Sequence, residues 1–490
     1  MEEEINEEQQ PGRPKKINVP TQYRQGAKIL KQMCEEGKSL KNLVYNNQHL
    51  RVSSMSKLMG LIQSHEQQLE EIIKKTEIFE KEKNLNPWLG RILITELIFG
   101  RKQLIGQSKP VQCVLSYQEA LEKALATVEA QPKEQKQLKY NVPRYVRINT
   151  ILIDRKEAIE YCEREGWKLV SNEFDTYEEF LAAVNALDDE SFMIDYHIKE
   201  LLLFPKSSKR YWSSNELKNE GKFLLQDKAS CLPPFMLDPK KKSTVLDMCS
   251  APGNKTVQLA AIMKNKGKIY AVEKNPERYK LLCETIEASG VKIVSSINSD
   301  ITNIGNEQAP KVEFILLDPS CSGSGMLNRF VQDSEADKDT ARLYKLSGLQ
   351  YKLLFHAMTN FPNVQRIVYS TCSIYPEENE EVVLGALRHC KDFKLINAKE
   401  LLGGYWTNTG DEGKYPGIGG NCIYSRTEHD LTIGFFVAVF IRCEEGEENE
   451  FYKEKQATKR PFVKNKNAEE AGKDNKYKKK KMMREENEAE

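Results

Sequence analysis

The chain has 490 residues, 39% hydrophobic and 30% charged, with a formal net charge of only +1. That is room for two to four domains but a low apolar fraction for one compact enzyme, and no run approaches the roughly 18 apolar residues of a membrane span. The opening MEEEINEEQQ lacks the apolar core of a signal peptide, and the 11 dispersed cysteines form no CxxC pair or His-Cys zinc spacing, so a reducing compartment and no metal are expected.

In chain order, residues 1–20 are polar, carry Pro11, Pro14 and Pro20, and read as a disordered arm. The basic piece Arg13-Pro-Lys-Lys within it is solvated linker or an RNA contact. From 21 to 140 apolar residues recur at helical spacing, as in Leu58, Leu61 and Ile62 or Ile94, Leu97 and Ile98. This predicts a bundle of about five helices with no visible chemistry. After turn-rich residues 131–143, YVRINT (Tyr145 to Thr150) alternates like a strand. A helical pattern (156–165) and short strands near Trp167, Met193 and Leu201 to Phe204 complete a small α+β domain at 141–221.

From 222 to 445 short apolar runs alternate with amphipathic helices. The runs are VLDMC (245–249), IYAVE (269–273), KIVSSI (292–297), FILLDP (314–319), RIVYST (366–371) and FFVAVFI (435–441). This is an α/β pattern: a largely parallel, Rossmann-like sheet covered by helices, with ligands beyond the carboxyl ends of its strands. Residues 446–490 lose apolar periodicity and form a charged tail with the run Lys478 to Lys481, read as solvated disorder or as an RNA-contacting or nuclear-targeting segment.

The first of these runs leads into DMCSAPGNKT (Asp247 to Thr256) and then a helix. Gly253 permits a backbone turn and a close ligand approach, and the following helix start presents free N–H groups. A P-loop is excluded, because Asn254 stands where its second glycine must be. Glu273 ends the second run, at the place where a carboxylate holds ribose hydroxyls in dinucleotide folds, and Arg278 follows. Asp300 ends the third, where it could meet an adenine amine, and Asp318 ends the fourth. Singly each acid reads as a cap or surface residue; together they fit an adenosine moiety.

The fourth run leads into LLDPSCSGSG (Leu316 to Gly325) and the fifth into YSTCS (Tyr369 to Ser373). In the usual methyltransferase strand order these strands are neighbours about 4.8 Å apart. Cys321 and Cys372 would then flank one cleft, with Asp318 between them. A thiolate beside a methyl donor suggests addition to C6 of cytosine, which makes C5 nucleophilic; a carboxyl group stabilises the ring charge and a second thiol assists elimination. Such a base must leave its stack, so unpaired or flipped RNA is the expected substrate.

At these residues the chain resembles the Sun-domain (NSUN, Fmu/RsmB-like) RNA cytosine-5 methyltransferases. The matching elements are Arg147 to Thr150 (RINT), QDKAS (Gln226 to Ser230), CSAPGNK (Cys249 to Lys255), DPSCSGSG (Asp318 to Gly325) and STCS (Ser370 to Ser373), in order over about 145–445. LVYNN (Leu43 to Asn47), ELLLFP (Glu200 to Pro205) and LLDPSCSGSGM look like the fifth NSUN branch, similar to yeast Rcm-type enzymes. The resemblance implies S-adenosyl-L-methionine as cofactor and large-subunit (25S/28S) rRNA as substrate. It also implies action in the nucleus and nucleolus, an RNA-binding role for 141–221 and for RINT, and a monomer. It implies that Cys372 is the nucleophile, that Cys321 assists release, and that Asp318 and Lys255 stand at the reacting groups. The implied cofactor contacts are Cys249, Ser250, Ala251, Pro252, Gly253, Asn254, Lys255, Glu273, Arg278, Asp300 and Asp318. Asn254 replaces a glycine, and Ser250 an alanine, common in bacterial relatives. A catalytically silent rRNA-binding assembly factor on the same fold is the alternative. A DNA cytosine-5 methyltransferase would put its nucleophile on the fourth strand and lack the STCS element.

Overall fold

The computed structural model describes residues 18–35, 43, 52–129, 141–170, 173–326 and 340–458. The acidic start with Arg13-Pro-Lys-Lys, all of LVYNN but Leu43, residues 131–140 and the run Lys478 to Lys481 lie outside them. The chain divides into two compact units, one N-terminal and one from Val142 onward.

The described N-terminal unit has seven helices: Thr21–Glu35, Val52–Ser64, Glu66–Thr76, Ile78–Lys81, Pro87–Ile98, Lys109–Ser116 and Gln118–Glu129. The count exceeds five because three breaks are single residues that leave the apolar period intact: His65 (φ −120°, ψ 18°), Glu77 in the left-handed conformation (φ 52°) and Tyr117 (φ −96°, ψ 3°). The Pro87 helix starts cleanly, with Asn86 Oδ1 accepting from Leu89 N–H at 3.0 Å and proline at a position that needs no N–H. Its Ile92, Leu93 and Leu97 are buried in one core with Tyr23, Ile29 and Leu30. No described helix is long and apolar enough to cross a membrane.

The second unit holds two sheets. The smaller has strands β1 Arg144–Ile148, β2 Lys168–Leu169, β3 Ser191–Ile194, β4 Leu201–Phe204 and β5 Phe223–Leu225, in the order β2-β3-β4-β1-β5. Its core is Val146, Ile148, Phe192, Leu202, Phe204, Trp212 and Phe223. β5 pairs antiparallel with β1, Phe223 facing Ile148, so this sheet extends past residue 221. Three residues are too few to show alternation in sequence.

The larger sheet has β6 Thr244–Asp247, β7 Lys268–Val272, β8 Val294–Ile297, β9 Phe314–Leu317, β10 Arg366–Thr371, β11 Phe393–Ile396, β12 Ile423–Ser425 and β13 Phe435–Arg442. The order is β11-β13-β10-β9-β6-β7-β8, with β12 on β13. β6 to β10 run parallel, whereas β13 is antiparallel to β10 and to β11. The six apolar runs are six of these strands. β11 and β12 are short, and β11 is only half-buried, so neither stands out in sequence. Leu353, Leu354 and Met358 of the helix Thr340–Thr359 and Val382, Val383 and Ala386 of the helix Glu380–Leu387 bury one face of the sheet.

The stretch expected to be structureless from 446 begins instead with a helix, Glu450–Thr458. Asn449 anchors it: its side-chain amide donates to Leu387 O (3.1 Å) and Cys390 O, and its Oδ1 accepts from Tyr452 N–H at 2.9 Å. Phe451 packs on the core.

Candidate active site

Parallel pairing sets β9 and β10 in register, Leu317 beside Tyr369, so the loops after them leave the sheet together. Cys321 and Cys372 meet there with their sulfurs 3.2 Å apart, a hydrogen-bond contact well outside the roughly 2.05 Å of a disulfide. The sulfurs touch each other, so Asp318 does not stand between them as the sequence suggested; it lies to one side. The hydrogen bond with Cys372, then burial and the negative Glu378 and Asp318, push the Cys321 thiol well above the usual range.

A polar frame fixes both loops. Ser322 N–H donates to Glu378 Oε1 (2.7 Å), and Gln350 Nε2 donates to the same oxygen (2.9 Å) and to Ser320 O (3.0 Å). The hydroxyls of Ser322, Ser324 and Ser373 join within 3.2 Å, and Gly325 N–H donates to Cys372 O at 3.0 Å. A Cβ on Gly325 would collide with the Gly434 carbonyl, which is why the DPSCSGSG element ends in glycine.

Both oxygens of Asp318 are held. Ser370 Oγ donates to Oδ1 at 2.7 Å, and Lys255 Nζ donates to Oδ2 at 2.9 Å. A second Lys255 N–H reaches Ser230 Oγ at 2.9 Å. Burial works to lower the Lys255 pKa, but the facing Asp318, with Cys372 and Asp247 beyond it, raises it on balance, so the group is an ammonium. Charge-assisted bonds of this length are roughly twice as strong as neutral ones, so the pair fixes both side chains. Asp247, at the end of β6, is buried and accepts from Thr256 Oγ1 at 2.7 Å; burial lifts its pKa to about 7.

The loop after β6 places the motif residues unequally. Gly253 has φ 111° and opens the helix Asn254–Ile262, whose first N–H groups have no side-chain cap. Ala251 and Pro252 form the turn before it. The Ser250 hydroxyl points into the fold, bonded to the carbonyls of Asp247 (2.8 Å) and Val272 (3.2 Å). Cys249 is next to the core cluster, and burial raises its pKa strongly. Glu273 is 5% exposed and accepts from Asn275 N–H (2.8 Å) and Arg278 (3.2 Å). Arg278 also donates to Ala251 O at 2.7 Å, clamping the end of β7 to the loop. Asp300 takes both Thr302 N–H (3.0 Å) and Lys274 Nζ (2.8 Å), and the Lys274 bond pulls its pKa to about 2.

Sequence reasoning missed the supporting residues Ser230, Ser370, Gln350 and Glu378. Only Ser230 and Ser370 carried a signal, since both lie inside motifs. The RINT element differs from its expected role. Arg147 is 1% exposed; its Nε donates to Gln226 Oε1 (2.8 Å) and its Nη2 to Asn254 O (3.1 Å). Asn149 is also buried and donates to Gly221 O and Ser289 O. Neither side chain is free to contact RNA; both join the small sheet to the catalytic one. Lys228 of QDKAS does the same, buried in an ion pair with Asp195 at 2.7 Å.

Residues 234–440 match the family model described as 16S rRNA methyltransferase RsmB/F. Residues 142–226 match the ferredoxin-like domain, and 56–139 the N-terminal domain, of NOL1/NOP2/Sun domain family member 5. A Drosophila melanogaster protein named 28S rRNA (cytosine-C(5))-methyltransferase is 44% identical over 438 residues, covering 89% of this chain and 99% of its own. The Schizosaccharomyces pombe 25S rRNA (cytosine-C(5))-methyltransferase rcm1 is 31% identical, covering 85% and 90%. The solved structure of PH0851 is 21% identical and covers 87% of this chain and 100% of its own, with a TM-score of 0.57, which shows the shared fold. Sheet and site thus define a methyltransferase of the RsmB/F type. The chain belongs to the NOL1/NOP2/Sun domain family, in its member 5, Rcm-type branch.

Proposed function

We propose that this chain methylates C5 of a cytosine in large-subunit (25S/28S) ribosomal RNA, in the nucleus and nucleolus, with S-adenosyl-L-methionine as cofactor. The observation that carries the reading is the Cys321–Cys372 contact beside the Lys255–Asp318 pair at one sheet edge. The cofactor fits the neighbouring groups: the uncapped helix start at Asn254 offers N–H donors, and the buried Glu273 carboxylate closes β7. Cys249 to Lys255, Glu273, Arg278, Asp300 and Asp318 would hold it, with Ser250 acting through its backbone. When bound, S-adenosyl-L-methionine supplies an electrophilic methyl group.

Cys372, as thiolate, adds to C6 and shifts electron density to C5. Asp318, held by Lys255 and Ser370, faces the pyrimidine edge, and the ammonium stabilises the charge that develops there. The resemblance assigns the attack to Cys372 and the release to Cys321, whose sulfur is 3.2 Å away. Once Cys372 is bonded to C6 and the methyl group is on C5, Cys321 is the sulfur beside the adduct. Cys321 then loses its proton to solvent and takes the C5 proton. The electrons of that C–H bond re-form the C5–C6 double bond, and the Sγ–C6 pair returns to Cys372.

Methyl transfer from radiolabelled cofactor to deproteinised rRNA tests the reading. Wild type incorporates label at cytosine, and Cys372→Ala falls by about 10³-fold or more, as for loss of a covalent nucleophile. Equal, background incorporation by both proteins would refute an enzymatic role.

A further inference from the structure

The amino ends of the same parallel strands carry a different chemistry. Exposed lysines precede four strands: Lys311 before β9, Lys240, Lys241 and Lys242 before β6, Lys264 and Lys266 before β7, and Lys292 before β8. In the sheet order β9-β6-β7-β8 these turns are adjacent, at a spacing of about 4.8 Å. They are bonded into one surface. Lys242 N–H donates to Lys266 O (2.9 Å), Lys268 N–H to Ser243 O (3.1 Å), Asn265 Nδ2 to Gly290 O (3.1 Å) and Lys292 N–H to Asn265 Oδ1 (2.9 Å).

Among the described residues none of these seven lysines pairs with a carboxylate. The same turns hold three acids, Asp238, Glu307 and Glu313, against seven lysines, and Glu313 is occupied by Thr244 N–H at 2.9 Å. Helix ends alone do not explain the lysines. The last carbonyls of the helix Lys228–Leu237 are already served by Arg366, which donates to Met236 O and Leu237 O. Backbone geometry argues against lysine as well. Lys242 (φ 73°), Lys264 (φ 53°) and Lys311 (φ 61°) are left-handed, a conformation that glycine and asparagine adopt at less cost. Asn265, Gly267 and Gly290 hold it in these same turns.

We propose that this edge is a second RNA-anchoring face, which grips backbone phosphates of a structured segment remote from the target cytosine. The proposal rests on RNA being the substrate. The two edges are opposite ends of the same strands of four or five residues, about 15 Å apart and facing away from each other, so an RNA that engages both must wrap around the helices covering the sheet, as a folded RNA does and a short strand seated at the cysteines does not.

The test is the full chain carrying Lys241→Gln, Lys264→Gln, Lys266→Gln and Lys292→Gln, all exposed changes, with an unchanged thermal melt as the folding control. Two RNAs are compared, a domain-sized large-subunit rRNA transcript that wild type methylates and a short single strand of the same target sequence. The transcript's Kd weakens about tenfold, and its log–log salt slope becomes shallower by about 0.7 per lost phosphate contact, with kcat unchanged. The short strand's Kd does not move. An unchanged Kd and slope for the transcript, or equal weakening of both RNAs, overturns the proposal. If wild type methylates neither RNA, the underlying function fails instead.

Discussion

The two edges of the parallel sheet share strands and differ in how charge is managed. At the carboxyl edge charged groups are partnered and partly buried: Lys255 with Asp318, Arg278 with Glu273. At the amino edge the lysines of neighbouring turns stand exposed and unpaired among the described residues. Paired, desolvated charge fixes geometry and acts on a reacting atom, whereas unpaired charge in water acts on counterions and polyanions. The first should govern kcat, the second affinity and its salt dependence.

The largest effect that would sharpen this contrast is at Lys255. Lys255→Met leaves Asp318 without its cation, and kcat for methyl transfer should fall about 10²–10³-fold, as for loss of one preorganised donor. The Kd for the rRNA transcript should stay within about twofold. A variant that loses RNA affinity but keeps kcat would erase the distinction between the edges. Next is Arg147→Lys, which keeps the charge but cannot span Gln226 and Asn254 as a guanidinium does. S-adenosylhomocysteine binding, measured by calorimetry, should weaken about tenfold with RNA binding unaltered. Loss of RNA binding alone would return RINT to the RNA-contacting role its resemblance implied. The smallest effect is at the lysine turns. Lys242→Gly and Lys264→Gly relieve left-handed strain and should each stabilise the fold by about 0.5 kcal/mol, the difference between that strain and glycine's chain entropy. RNA affinity should fall at the same time. A loss of stability would show that the lysines serve the fold.

Much of this architecture is legible in the sequence because apolar runs of four to eight residues have one reading when helices separate them. β6 to β10 and β13 were visible for that reason, and so was the neighbourhood of Cys321 and Cys372. What was hidden depends on contacts between distant segments. β5 has three residues and is defined by its pairing with β1. Asn449 anchors a helix through carbonyls some sixty residues upstream, inside a stretch whose composition reads as tail. Arg147 sits in a motif whose resemblance implied a nucleic-acid contact, and nothing local reveals that it is buried. Glu378 and Gln350 frame the cysteine loops from outside every motif. The direct contact of the sulfurs, with Asp318 to the side, is set by how the loops after β9 and β10 turn toward each other, which residue spacing does not encode.

The division of labour between the two cysteines is the central claim, and a covalent adduct measures it. In Cys321→Ala the attack on C6 and the methyl transfer proceed but the C5 proton has no acceptor, so enzyme and RNA should remain joined and migrate as a slow band on a denaturing gel. The band should require Cys372, vanishing in the double variant Cys321→Ala, Cys372→Ala. An adduct formed by Cys372→Ala, with none from Cys321→Ala, would contradict the account and exchange the roles of the two sulfurs.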